Sequence, residues 1–97
     1  MWKKELFAER WVEADEQRLL FLQYYLVSEV RTGSENLYGI EVDMHNRIDN
    51  CMDGVGIFSG YISRSRQKAE EFLKMAAGGE ATPANMPYII DDFHDLL

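Results

Sequence analysis

The strongest constraint on the fold of this sequence is the segment from Leu19 to Val30, which predicts a β-strand. In an extended chain, successive side chains point to opposite faces. A strand that is apolar on both faces needs cover on both of them, so we expect this strand at the centre of a sheet. Both faces are apolar here, with Leu20, Leu22, Tyr24, Leu26 and Val30 on one and Phe21, Tyr25 and Val27 on the other.

A second predicted strand follows after a short polar spacer. The spacer, residues 32–36 (TGSEN), has the length and composition of a hairpin loop. Between Tyr38 and Met44 apolar residues alternate with small or charged ones, which is typical of a strand with one solvated face. The two strands are therefore predicted to form the central hairpin. The residues expected in its core are Tyr24, Leu26, Ile40 and Val42.

The N-terminal segment, residues 2–16, permits two interpretations. It is rich in good helix formers, and apolar side chains between Leu6 and Ala14 recur at helical spacing. Alternatively, Trp11 to Glu13 form a strand that turns at residues 14–17 into the next one. We favour the strand, because the apolar strand that follows needs a partner on each side. The sequence alone leaves both interpretations open.

The C-terminal part of the chain predicts two helices. Ser63 can cap a helix over residues 64–77, and the glycines at 78–79 can end it by adopting the left-handed conformation. Asn85 can cap a last helix over residues 86–96, in which Pro87 suits the first turn.

Between the central hairpin and these helices, residues 46–50 predict a polar turn and residues 51–62 a glycine-rich fourth strand. This order of elements predicts an α+β fold: an antiparallel β-meander of about four strands, followed by two helices packed on one face. With 97 residues, we expect one small domain over residues 1–97.

Composition narrows the functional classes. The net charge of -7 argues against direct binding to nucleic acid or to an anionic membrane surface, since both would repel the chain. A single cysteine, Cys51, cannot form an intrachain disulfide. No secretory signal and no apolar run of membrane-spanning length is present. We therefore expect a soluble cytoplasmic protein.

Two short motifs resemble those of a known family. The stretch Tyr38 to Val42 (YGIEV) and the end of the last helix, Ile89 to Phe93 (IIDDF), are similar to a family of short, functionally uncharacterised bacterial proteins, mainly from Firmicutes. The resemblance covers residues 19–97. It implies a bacterial cytoplasmic protein and no known activity.

One basic cluster stands out in this acidic chain. Residues 63–79 hold four basic and two acidic side chains, and Arg64, Arg66 and Lys68 fall in the first turns of the predicted helix. Free backbone N–H groups at a helix start, together with cations, form an anion site. The functional hypothesis is a bound phosphate, carboxylate or acidic partner, and the alternative is a solvated basic face.

Residues with other chemistry lack the patterns that the chemistry requires. His45, Cys51 and His94 are possible metal ligands but do not have the paired spacing of a zinc site. The glycines of residues 54–60 (GVGIFSG) lie within a predicted strand and do not match a dinucleotide-binding loop. No serine or cysteine is marked as a nucleophile. We expect no enzyme, no metal and no cofactor.

The leading hypothesis is a non-catalytic protein that acts by contact with another protein or with a second copy of itself. If helices cover the Tyr24 face of the sheet, an uncovered patch on the other face is the expected partner surface, including Phe21, Tyr25, Glu41 and Asp43. The alternative is an acidic decoy that mimics nucleic acid and blocks a basic protein or nuclease. That role requires a set of carboxylates to line up on one surface: Glu35, Glu41, Asp43, Asp49 and Asp53.

Overall fold

Four long strands pair with their sequence neighbours in one antiparallel sheet, in the order β1-β2-β3-β4. The computed structural model describes residues 2–15, 18–29, 36–48 and 51–95. The meander and the two helices after it confirm the predicted α+β fold. The elements are β1 (Trp2–Asp15), β2 (Arg18–Glu29), β3 (Leu37–Ile48), β4 (Cys51–Ser63), α1 (Arg66–Gly78) and α2 (Met86–Asp95).

The N-terminal segment, which the sequence left open, is a strand. β1 pairs with β2 from Trp2↔Glu29 to Asp15↔Arg18, and so extends well beyond the predicted residues 11–13. Pairing with an apolar neighbour along this whole length outweighs the helical propensity of the segment, which is a weak preference per residue.

The centre of the sheet follows the predicted hairpin. β2 lies between β1 and β3, and its register with β3 runs without interruption from Arg18↔Ile48 to Glu29↔Leu37. The spacer residues 32–35 and Val30 lie outside the described residues. The predicted turn at residues 46–50 was placed too early, because residues 46–48 continue β3 and pair with both β2 and β4.

Both edge strands carry bulges, while the central pairing has none. In β1 the register shifts between Leu6 and Ala8 and again between Glu13 and Asp15. The β3–β4 register also shifts at two points, between Tyr38 and Gly39 and between Met44 and His45. An extra residue on one strand bends it and increases its twist.

The helices pack on one face of the sheet and close a single core cluster. All four predicted core residues, Tyr24, Leu26, Ile40 and Val42, are buried. The Tyr24 hydroxyl donates a hydrogen bond of 2.7 Å to the Ala81 carbonyl oxygen between the two helices. Burial raises the pKa of Tyr24 to about 12. From the helices and their connection, the core receives Ala69, Phe72, Leu73, Ala76, Ala77, Ala81 and Met86.

The start of α1 differs from its prediction. The helix begins at Arg66, not at residue 64, and its N-cap is Ser65, whose Oγ accepts from the Lys68 N–H at 3.4 Å. Ser63 still belongs to β4, and its Oγ accepts from the Ser65 N–H at 3.0 Å. A hydroxyl two residues further along takes the capping role because the strand continues to Ser63.

The helix end also differs in detail. Gly79 follows the last helical residue as predicted, but its φ is -91°, and the left-handed residue is Glu80 with φ 54°. The backbone of Asn85 supports the start of α2, since its carbonyl oxygen accepts from Tyr88 and Ile89 at 3.2 Å each. No helix of the described chain is long and apolar enough to cross a membrane.

Candidate functional site

The face of the sheet opposite the helices is the candidate site, and we call it the open face. Directly paired residues of neighbouring strands share a face, so the register defines its members. Row by row across β1, β2, β3 and β4 they are Lys4, Val27, Gly39 and Tyr61; Leu6, Tyr25, Glu41 and Ser59; Glu9, Gln23, Asp43 and Ile57; and Trp11, Phe21 and His45. The structure therefore brings together all four predicted partner-surface residues, Phe21, Tyr25, Glu41 and Asp43.

Large apolar side chains on the open face are exposed to solvent. Ile57 is 71% exposed and Tyr61 53% exposed on β4, and on β1 Leu6 and Trp11 are each 52% exposed. Their exposure shows that no element of the described chain covers them. They lie along the two edges of one sheet face, and Leu6 and Trp11 pair with Tyr25 and Phe21 of β2, so apolar surface borders the central charged residues. Several large exposed apolar side chains on one face are of the kind that marks an interaction surface.

Aromatic contacts order one end of this face. The rings of Trp11 and Phe21 stack with centroids 4.5 Å apart, and the His45 ring lies 6.3 Å from that of Phe21. Such cross-strand aromatic contacts hold the rings in place on the strands. The patch is therefore a pre-organised surface at this end.

A charged cluster occupies the middle of the open face. Lys4 Nζ lies 2.9 Å from Glu41 Oε2 and 4.3 Å from the centre of the Tyr25 ring. The hydrogen bond to Glu41 raises the pKa of Lys4. Burial raises the pKa of Tyr25, and the nearby Asp43 carboxyl adds to that effect. Lys4 thus joins β1 to β3 across the intervening strand.

The two carboxyl groups of the cluster are neighbours on one face of β3 and differ in their acidity. Burial, followed by the hydrogen bond and the charge of Glu41, raises the pKa of Asp43 to about 6. Burial also opposes the ionisation of Glu41, but hydrogen bonds from Lys4 and Asp43 outweigh it and lower the pKa of Glu41. Asp43 Oδ1 is enclosed and has no hydrogen-bond partner within the described residues.

A groove of about 470 Å³ adjoins this cluster. Its floor includes Gly39, which cannot carry a side chain because a Cβ there would lie 2.5 Å from the Gly60 carbonyl oxygen. A missing side chain near the start of β3 leaves a depression between the neighbouring rows. The groove is lined by Lys4, Val27, Leu37, Tyr38, Gly39, Glu41, Ser59, Gly60 and Tyr61.

Sequence reasoning missed Lys4, Gly39 and Tyr61 as parts of the site. Lys4 is 37 residues from Glu41 in sequence, and only the pairing of β1 with β2 brings it to the open face. Gly39 and Tyr61 sit opposite each other beside a bulge, which no local pattern indicates. Alternation extended backwards from Trp11 assigns odd-numbered residues of β1 to this face. The bulge after Leu6 reverses the alternation, so that Leu6 and Lys4 lie on the face instead.

The predicted anion site has a different environment from the one that the sequence indicated. Arg66 Nη2 lies 2.9 Å from Glu5 Oε2, and Arg66 Nε lies 2.8 Å from Glu70 Oε1. These hydrogen bonds, that of Glu70 first, raise the pKa of Arg66. Arg64 precedes α1, and Lys68 is exposed in the first turn. Anion binding at the three residues stays a prediction, and it would require Arg66 to exchange carboxylate partners.

The described side chains contain no group of three or more possible metal ligands. His45 lies on the open face, whereas the side chains of Cys51 and His94 lie outside the described part. The glycines of residues 54–60 lie within β4, as the sequence predicted. What the open face offers chemically is therefore apolar contact, aromatic rings and a central carboxyl pair.

The comparisons with known proteins define a family and no activity. A family model described as a family of unknown function, DUF6514, matches residues 3–96, so the chain belongs to this family. The match also includes β1, which the resemblance noted from residue 19 onward did not cover. No curated protein matches the chain. No solved structure matches it either.

Proposed function

We propose that this member of a family of unknown function is a bacterial cytoplasmic protein that acts without catalysis, by binding another protein through the open face. The observation that carries the proposal is the concentration of exposed apolar side chains on that face, from Leu6 and Trp11 on β1 to Ile57 and Tyr61 on β4. Isolated exposed apolar residues are ordinary, but several large ones on the same sheet face mark an interaction surface.

The size of the open face fits such a role. Four strands spaced about 4.8 Å apart, with about 12 residues at 3.4 Å each, give a face of roughly 800 Å². A stable protein–protein interface buries about 800 Å² on each partner. A partner that covers the whole face would therefore bury enough surface for a specific complex.

The decoy hypothesis receives less support. Of its required carboxylates, Glu35 and the side chains of Asp49 and Asp53 lie outside the described part of the chain. Glu41 is paired with Lys4, which weakens it as an imitation of a phosphate charge. The open face therefore supports an apolar contact more strongly than electrostatic mimicry. The net charge of -7 supports a protein partner over nucleic acid.

The proposal is tested by capture of partners from a lysate of the host, with wild-type protein and two serine variants as bait. Tyr61→Ser changes an aromatic residue that is 53% exposed on the open face. Tyr88→Ser is the matched control, since Tyr88 is 75% exposed on α2. We expect proteins identified by mass spectrometry to bind wild type and Tyr88→Ser, and to be lost with Tyr61→Ser.

Thermal unfolding of both variants checks that each is folded. Equal capture by all three baits would contradict the proposal. Capture that falls steeply with salt but not with Tyr61→Ser would support the decoy hypothesis instead, because electrostatic mimicry is screened by ions.

A further inference from the structure

We propose that the partner of the open face is a basic amphipathic protein segment, in which one Arg or Lys flanked by apolar side chains docks onto Glu41 and Asp43. The inference rests on the proposed function and adds the chemistry of the partner. It follows from three properties of the open face: the central position of the carboxyl pair, its incomplete charge compensation, and the apolar groups around it.

The position of the pair is given by the strand register. Glu41 and Asp43 lie on a central strand and in the two middle rows of the face. Tyr25 is the direct neighbour of Glu41 on β2, and Ile57 is the direct neighbour of Asp43 on β4. A partner that covers the face would therefore remove these carboxyl groups from water, with apolar contacts around them.

The charge compensation of the pair is incomplete. Lys4 supplies one cation, at 2.9 Å from Glu41, for two carboxyl groups. Asp43 lies next to Glu41 on the same face and has no cation of its own among the described ion pairs. A cation from the partner would compensate this second charge. Without it, complex formation would remove an uncompensated carboxyl charge from water, which is costly.

The groove beside Glu41 provides the apolar part of the recognition. Its volume of about 470 Å³ lies within the range of pockets that hold ligands, and it is bounded by Val27, Leu37 and Tyr61. A large apolar side chain near the cation of the partner can enter it. Interfaces commonly combine such an anchored side chain with a charge pair from which surrounding contacts exclude water.

A second copy of the chain fits the face less well. In a two-fold symmetric dimer, each partner presents the same patch, so groups at the centre meet their own copies. Stacking two open faces would bring both Glu41–Asp43 pairs close together in the middle of the interface. Like charges brought together in an interface oppose association. The charge pattern thus favours a basic partner over self-association.

The experiment is a selection of random linear peptides on the immobilised full chain, followed by affinity measurements on the enriched peptides. The test variant is Glu41→Gln/Asp43→Asn. Its matched control is Glu71→Gln/Asp91→Asn, which removes two charges from exposed positions on the helices. We expect enriched peptides to carry Arg or Lys between apolar residues. Their affinity should fall at least about tenfold with the test variant and stay unchanged with the control, since truncation of a desolvated charge pair is costly.

Each other outcome has a defined meaning. Enriched peptides that lack a cation would overturn the inference, and so would peptides with equal affinity for the test and control variants. If Tyr61→Ser still abolishes the binding of these peptides, the proposed function stands. If the affinity of these peptides is also unchanged by Tyr61→Ser, the inference and the proposed function are both overturned. Sedimentation at neutral pH that shows a wild-type dimer, which Tyr61→Ser converts to monomer, would make a second copy the occupant and overturn the inference alone. Single Asp43→Asn serves if the double variant does not fold.

Discussion

At the scale of single residues, the raised pKa of Asp43 and the close packing around Gly39 should each affect the free energy of unfolding. Asp43 is held next to Glu41 by the alternation of β3, which puts every second side chain on one face. Two carboxyl groups at that spacing resist simultaneous ionisation, because like charges disfavour each other's charged form. The sequence pattern alone indicated that both residues share a face, but the raised pKa of Asp43 depends first on burial.

Asp43→Asn should stabilise the protein in a pH-dependent way. The folded pKa of about 6 lies above the ordinary aspartate pKa of 3.8, so the folded state binds more protons between these values and loses stability as the pH rises. Asparagine keeps an N–H donor toward Glu41 and removes the cost of ionising a partly buried carboxyl group. We expect a gain of at most about 1 kcal/mol, because partial solvent exposure screens the interaction. Denaturant unfolding measures it.

The gain should be present above about pH 6 and should vanish below pH 3.8, where Asp43 is protonated in both states. Asp91→Asn, at an exposed position of α2, is the control and should show no such change. A stabilisation by Asp43→Asn that is the same at both ends of this range would contradict the assignment.

Gly39→Ala should destabilise the sheet. The added Cβ would lie 2.5 Å from the Gly60 carbonyl oxygen, and a backbone atom cannot move aside as a flexible side chain can. We expect a loss of about 1–3 kcal/mol in the free energy of unfolding, as for other overpacked sites. Gly78→Ala is the control, since a Cβ there meets nothing within 4 Å, and it should be neutral or slightly stabilising. Equal effects of the two substitutions would refute this explanation.

At the scale of elements, predictability follows the range of the interactions. β2, β3 and their core residues were predictable because alternation is a local signal of the side that is buried. For β1, the local sequence favours a helix whereas pairing with β2 favours a strand. The pairing joins residues distant in sequence, so only the three-dimensional structure shows it. The start of α1 moved by two residues because β4 continues to Ser63, a competition between neighbouring elements that the capping pattern alone does not resolve.

The connection between the helices is joined to the sheet by Tyr24. Tyr24→Phe keeps the ring in the core and removes the 2.7 Å hydrogen bond to the Ala81 carbonyl. We expect a loss of about 1 kcal/mol in the free energy of unfolding, which denaturant titration measures. Tyr88→Phe, at a position 75% exposed on α2, should change it far less. An unchanged free energy with Tyr24→Phe would mean that the hydrogen bond adds nothing to stability.

At the scale of the whole molecule, one side of the sheet is covered and the other is not. The extents of 50 × 29 × 16 Å reflect a single layer of helices on a single sheet. Alternation along β2 and β3 predicted the core residues Tyr24, Leu26, Ile40 and Val42, and so which residues would face away if helices covered that side. It could not predict the groove or the Lys4–Glu41 pair, since these depend on the relative position of three strands.

Self-association of the chain should increase as the pH falls through about 6. Protonation of Asp43 reduces the repulsion that two stacked open faces would experience. Sedimentation velocity should show monomer at neutral pH and a growing dimer fraction below it. Ile57→Ser removes a side chain that is 71% exposed on the face and should abolish this growth. Growth that persists in Ile57→Ser would instead reflect the approach to the pI of 4.7.

The bulges of the edge strands affect the tendency of this protein to aggregate. A protein with an uncovered apolar sheet face and two sheet edges is at risk of forming fibrils, in which strands of successive molecules add to each other's edges. Every register shift of this sheet falls in the pairing of β1 or β4, while the β2–β3 pairing is continuous. A strand arriving at either edge therefore meets an interrupted row of hydrogen-bonding groups. The irregular edges allow the open face to stay available for binding without promoting aggregation of the chain.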